Sequence, residues 1–147
     1  MGIIESAREW RGTPWQHNQR CKGVGVDCVQ FIAALAEEQG IKISPIENYY
    51  REPQKDELLW HLRSIAGLSE VSFTEPGDIL LFRIGGVPKH LGIATERGMI
   101  HADAKVGRVV EISNLGFWER LIVARFRIDP GMIGDEPYSD FEPVGGD

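Results

Sequence analysis

Cysteine is scarce in this chain: its 147 residues include only two, Cys21 and Cys28. That is too few for a disulfide scaffold or a cysteine-rich zinc site, so both are read as free thiols and the question is whether either is reactive. Long apolar runs are also missing. None approaches the roughly 20 residues that cross a bilayer, so no membrane span is expected. The opening Met1-Gly2-Ile3-Ile4-Glu5 has neither the basic start nor the apolar stretch of a signal peptide. A basic excess is lacking too, since the net charge is −6. Asp129, Asp135, Glu136, Asp140, Glu142 and Asp147 sit in a segment without Lys or Arg; subtracting these 6 from the 22 acids leaves 16, equal to the 16 basic residues. A neutral body gives phosphates no clustered cations, which argues against a nucleic-acid partner. No Cys-x-x-Cys or His-Glu-x-x-His pair is present, so zinc is not expected even though Cys21, Cys28, His90 and His101 are able ligands. Gly23-Val24-Gly25 continues into neither a dinucleotide fingerprint nor a phosphate loop.

What is present divides into helices first and strands afterwards. Ile3, Ala7 and Trp10 recur at helical spacing before a Gly12-Thr13-Pro14 break. Cys28, Phe31, Ile32, Leu35 and Ala36 form a second stripe that stops at Gly40, with Asp27 placed as its N-cap. After a stretch containing Pro45 and Pro53, residues Asp56 to Ala66 form a third, with Gly67 as its stop. From Pro76 the period shortens toward two, predicting strands at Ile79 to Ile84, His90 to Thr95, Met99 to Asp103, Arg108 to Ile112 and Leu121 to Ile128. This order predicts an α+β domain over residues 1–128 with an antiparallel sheet, followed by an acidic extension over 129–147.

Cys28 falls in the first turn of its helix, where unpaired N–H groups and the positive end of the macrodipole lower a thiol pKa from about 8.5. A nucleophilic thiol needs a base within hydrogen-bond reach and a third group to orient that base. His90 and His101 lie on neighbouring strands. A two-residue loop at Glu96-Arg97 puts both on one face, with His101 opposite Gly92 and diagonal to His90 at roughly 7–8 Å between Cα atoms. A three-residue loop would put them on opposite faces. Asp103, in phase with His101, competes for the orienting role, whereas His17 and His61 read as loop and helix-surface residues.

Taken in order, Gly12-Thr13-Pro14-Trp15, Gly25-Val26-Asp27-Cys28, Pro76-Gly77-Asp78-Ile79-Leu80-Leu81-Phe82, His90-Leu91-Gly92-Ile93 and Met99-Ile100-His101-Ala102 resemble the NlpC/P60 family of papain-like cysteine peptidases. The resemblance runs from about Ile4 to Phe126. It implies a papain-like fold with N-terminal helices packed on an antiparallel β-sheet. It further implies Cys28 as nucleophile, His90 as general base, His101 as third member, and Asp27 as ligand of the substrate's amino group. The implied substrate is the stem peptide of peptidoglycan, cut between D-glutamate and a diamino acid, with no cofactor. The Gly-Thr-Pro-aromatic form and the Phe82-Arg83 ending look most like short peptidases of phage tail modules and gene transfer agents. Tail-tip proteins are then the expected partners, and the expected location is the host cytoplasm followed by the virion tail.

Three positions depart from the family pattern. Val29 and Gln30 replace two small residues expected to face the groove or its wall. Trp15 stands nearest to the usual tyrosine that polarises the scissile carbonyl, with an indole N–H in place of a phenol. Two other readings stay open on the same fold: a catalytically altered structural or assembly protein of the tail tip, and an amidase of the CHAP type.

Overall fold

The computed structural model describes residues 2–43 and 55–129. Pro45, Pro53 and the acidic segment from residue 130 onward lie outside the described residues. Among the described residues three helices precede most of the sheet: α1 (Ile3–Arg8), α2 (Cys28–Glu38) and α3 (Glu57–Arg63). A short hairpin of β1 (Arg20–Cys21) and β2 (Gly25–Val26) separates the first two. The strands β3 (Leu68–Val71), β4 (Ile79–Ile84), β5 (Val87–Ala94), β6 (Met99–Asp103), β7 (Arg108–Ile112) and β8 (Ile122–Ile128) form one antiparallel sheet in the order β3-β8-β4-β5-β6-β7. The α+β expectation therefore holds, and the strands at 79–84, 99–103 and 108–112 have the expected bounds. Periodicity alone did not reveal β3, whose half-exposed Leu68-Ser69-Glu70-Val71 gains its pairing only from β8.

α2 is built as its sequence dictates. Asp27 Oδ1 accepts the Gln30 N–H at 2.8 Å, closing the N-terminus. At the other end Gly40 adopts φ +91°, and Ile41 N–H returns to the Ala36 carbonyl, stopping the helix. Phe31, Ile32 and Leu35 are buried with Leu81, Leu91, Ile93, Ile100 and Phe126 in the main core on one face of the sheet, and Ala36 is buried as well. The opposite face carries a smaller core of Leu80, Phe82, Ala94 and Met99. It is covered by a 3₁₀ turn at Gly116–Leu121 through Leu115, Trp118 and Leu121.

The Pro76-Gly77-Asp78 motif is a structural clasp. Gly77 and Asp78 exchange backbone hydrogen bonds with Ala94. The buried Asp78 carboxylate holds the Arg127 guanidinium through two contacts of 2.9 Å, tying β8 to the start of β4. At the far end of β8, Asp129 donates its N–H to the Gly67 carbonyl and accepts from the Ser69 hydroxyl, so this first acid of the extension is fastened to the sheet edge.

Two features of β5 prepare the site. Between the pairs Phe82↔His90 and Arg83↔Pro88, β5 holds one residue more than β4, a bulge at Lys89. β6 pairs with β5 only at Ile93 and Ala94, so the two strands part before His90. The loop between them has two residues, with Thr95 N–H bonded to the Gly98 carbonyl at 2.9 Å. This is the register that sets His101 opposite Gly92.

Gly98 tests this closure. A Cβ there would lie 2.8 Å from the Ile112 carbonyl carbon and 2.9 Å from Asn114 N, nearer still to the Ile112 oxygen. These are backbone atoms of the neighbouring strand and cannot step aside. Gly98→Ala is expected to cost at least the ~1–3 kcal/mol typical of overpacking, read as a lower urea midpoint. An unchanged midpoint would mean that β6 and β7 are not apposed in this way.

Candidate active site

Residues from both faces of the sheet meet where β5 and β6 part. Cys28, in the first turn of α2, packs on the rim of the main core. His90 and His101 point to the other face, with Phe82 and Trp118. Sγ of Cys28 lies 3.7 Å from the Lys89 carbonyl oxygen, and the Leu91 N–H also points at the sulfur. The thiol thus brackets His90 along the β5 backbone, in the stretch of β5 that has no β6 partner. Cys28, His90 and Trp15 line one cavity of about 790 Å³, together with Lys89, Asp103 and Trp118.

His90 Nε2 and His101 Nδ1 are 2.7 Å apart, with both side chains buried. One of the two nitrogens must donate and the other accept. If His90 is to take a proton at Nδ1, its Nε2 carries hydrogen and donates to His101 Nδ1, and His101 is then protonated at Nε2. Gly92 makes the approach feasible, since a Cβ there would come within 2.7 Å of Met99 Sδ and 3.4 Å of His101 Cβ. Of the two candidate orienting groups, His101 is the one bonded to His90. Asp103 acts from behind, its charge raising the His101 pKa against the lowering effect of burial.

Trp118 was not visible to sequence reasoning. Its ring stacks on His90 at 5.0 Å between centroids and 28° between planes, and meets His101 and Phe82 edge-on at 5.5 and 5.0 Å. It therefore holds both imidazoles and walls off one side of their hydrogen bond. The hint in the sequence is the apolar cluster Leu115, Phe117 and Trp118 in the turn-like stretch between two strands. Only the chain's return across the sheet brings it to the histidines.

The remaining expected site residues are placed as follows. Trp15 reaches the cavity because its backbone bridges to Val26 and its N–H binds the Gly107 carbonyl at 2.8 Å. Asp27 is buried and does not line the cavity; besides its capping bond it accepts the Asn18 N–H at 2.6 Å, and His17 Nδ1 lies 3.6 Å away. Val29 and Gln30, expected at the groove or its wall, are elsewhere. Val29 belongs to the core, and Gln30 binds Arg20 and Asn18 through its side-chain amide, bracing the loop before the nucleophile. At 100° per helical residue, Cys28 faces the cavity while its two successors turn away from it.

The expected lowering of the Cys28 thiol is also corrected. Burial pushes it up to about 12, and the neighbouring Asp27 carboxylate adds to the rise. The N–H groups of Leu91, Cys28 and Val29 favour the thiolate but are outweighed. Burial pushes His90 down to about 3, helped by His101. The resting pair is therefore a neutral thiol beside a neutral imidazole.

The chain belongs to the NlpC/P60 family: the family model matches residues 9–127. Over 120 residues it is 24% identical to the murein DD-endopeptidase MepS/murein LD-carboxypeptidase of Escherichia coli K12, and the same figures hold for the protein of strain O157:H7. That match covers 80% of this chain and spans 57% of those relatives' length. Among solved structures, the NlpC/p60 domain of the peptidoglycan hydrolase SagA superposes with a TM-score of 0.61 at 22% identity, covering 86% of this chain and 97% of that domain. An NLP/P60 family protein of Staphylococcus aureus, described as similar to a lipoprotein, superposes with a TM-score of 0.57 at 18% identity, covering 86% of this chain and 40% of its own.

The neutral His90 has a measurable consequence. Folded, it titrates near 3; unfolded, near 6.5. Between those values the unfolded chain binds a proton that the folded chain refuses. Stability is expected to be retained above pH 6.5 and to fall below it, by up to about 1.4 kcal/mol per pH unit for this one group. Urea midpoints at pH 7 and pH 5 should diverge in the parent protein and converge in His90→Gln. Equal pH slopes in the two proteins would show that His90 is not held neutral.

Proposed function

We propose that this protein is a cysteine peptidase that hydrolyses the stem peptides of peptidoglycan. The observation carrying the proposal is the 2.7 Å contact between His90 Nε2 and His101 Nδ1, beside a Cys28 thiol that brackets His90 in one cavity. In this reading His90 Nδ1 takes the thiol proton as Cys28 Sγ attacks the scissile carbonyl carbon, while His90 Nε2–H stays on His101 Nδ1. The thiolate and imidazolium form together as an attracting pair, although each alone is disfavoured by burial. The proton then passes to the leaving amine, the carbonyl carbon remains on sulfur as a thioester, and water releases it with His90 acting again as base. The backbone N–H of Cys28, at the start of α2 where the helix leaves its first N–H groups without intrahelical partners, is the proposed donor for the developing oxyanion. His101 orients the base and carries no negative charge.

The bond proposed is that between D-glutamate and the diamino acid. Its support is the likeness of Gly25-Val26-Asp27-Cys28 and the two histidine motifs to the NlpC/P60 family, whose members typically cut there. Digestion of muropeptides of defined stem composition tests activity and bond together. Cys28→Ala and His90→Ala should each lower dipeptide-sized product by more than about a thousandfold, and His101→Ala by about a hundredfold. Equal product from wild type and Cys28→Ala would overturn Cys28 as the nucleophile, and no product from either would favour a structural protein. Release of the amino sugar from an intact peptide would favour an amidase.

We further propose that the enzyme is made in the host cytoplasm and carried in a phage-type tail, where it opens the wall during entry. The support is the likeness of Gly12-Thr13-Pro14-Trp15 and Phe82-Arg83 to tail-module peptidases. Mass spectrometry of purified particles should find the chain alongside tail proteins. Its confinement to the cell fraction would overturn that placement.

A further inference from the structure

A second recess adjoins the Cys28 cavity, and it carries charge that the fold leaves unmatched. Its volume is about 430 Å³. Arg83, Gly85 and Gly86, from the end of β4 and the turn into β5, form one side, and Arg120, Leu121 and Ile122 form the other. Leu121 lines both recesses, and Ile84 of the Cys28 cavity lies between Arg83 and Gly85 in the chain. Leu121 is thus the residue at which the two recesses meet.

The two guanidinium groups are held but not neutralised. Arg83 Nη1 donates to the Gly86 carbonyl at 2.6 Å, which fixes the side chain across the turn and leaves further N–H groups unspent. Arg120 lies over the Phe117 ring, with Cζ 5.9 Å from the centroid. Arg8, Arg11, Arg20, Arg63 and Arg127 each pair with a carboxylate; among the described residues Arg83, Arg97, Arg108, Arg120 and Arg125 do not, and of these five Arg83 and Arg120 line this recess. Adjacent Glu119 is exposed and makes no ion pair with Arg120. In a chain of net charge −6, two unpaired guanidiniums facing one recess favour an anion. Beside Arg83, Gly85 and Gly86 make the turn with φ of +59° and +83°, conformations that L side chains rarely adopt.

We infer that this recess is a carboxylate subsite, which holds a free acid group of the stem peptide to one side of the scissile bond. Planar guanidinium forks match a carboxylate in shape as well as charge. The inference rests on the peptidase reading, and it gives that reading a selectivity: free acids in the stem peptide over their amides.

The probe is a defined stem peptide with free carboxylates, compared with the same peptide amidated. Calorimetry on the Cys28→Ala protein measures binding without turnover. The acid form should bind about tenfold more tightly than the amide, and Arg83→Gln/Arg120→Gln should bring the ratio close to one. Arg120→Gln alone, at an exposed position held only by a ring, should remove about half the preference on a logarithmic scale even if the double variant fails to fold. In the enzyme with Cys28 intact, the double variant should raise KM for the acid about tenfold with kcat within about twofold, leaving the amide unaffected. Equal binding of acid and amide by the parent, or a preference that survives both exchanges, overturns the subsite. Failure of the peptidase reading looks different: acid-selective binding persists, but neither peptide is cleaved.

Discussion

The parting of β5 from β6 is the constraint on which the site depends. Continued in the same register to the end of β6, the ladder would have joined Met99–Asp103 to β5 back to His90 and closed the sheet there. Instead pairing stops at Ile93, and the thiol of Cys28 lies against the backbone on either side of His90. This geometry lets a helix on one face and histidines on the other act on a common point. The bulge at Lys89 lies next to His90 and shifts Pro88 and Val87 in the ladder, while His90 keeps the register of Leu91 to Ile93. Each device costs ladder hydrogen bonds, and each sits beside the chemistry, where such irregularities concentrate.

Burial then decides the electrostatics. Enclosed by the sheet, Trp118 and the helix, neither Cys28 nor His90 supports a charge by itself. A neutral third member suits this arrangement, because His101 fixes the tautomer of His90 without adding a buried negative charge that would need its own partner. Trp118 contributes shape and exclusion of water rather than charge, clamping both rings through stacked and edge-on contacts.

The motif residues divide unevenly between chemistry and scaffold. Asp78 is spent on Arg127. Asp27 is spent at least in part on the Gln30 and Asn18 N–H groups, which set the start of α2 and thereby the direction of Cys28. Gln30 replaces a small residue but braces the preceding loop from behind, leaving the cavity wall unchanged. An unusual residue beside a nucleophile therefore need not alter a substrate pocket, because neighbours on a helix point in different directions.

The sequence by itself determined what depends on local order. The α2 stripe with Asp27 before it and Gly40 after it and the strand period of two are properties of neighbours in the chain, whereas the loop length that puts His90 and His101 on one face was open in the sequence and is settled by the Thr95–Gly98 pairing. So the α+β fold and the grouping of Cys28 with two histidines were legible, as was the family. Only the tertiary structure decided what depends on distant segments. β3 forms because β8 is there to pair with it, and Trp118 reaches the histidines because the 3₁₀ turn folds back over the sheet. The thiol is raised rather than lowered because desolvation by the surrounding sheet outweighs the helix N-terminus that the sequence places beneath it. Periodicity encodes which way a side chain points; it carries no information on how deeply the rest of the chain will bury it.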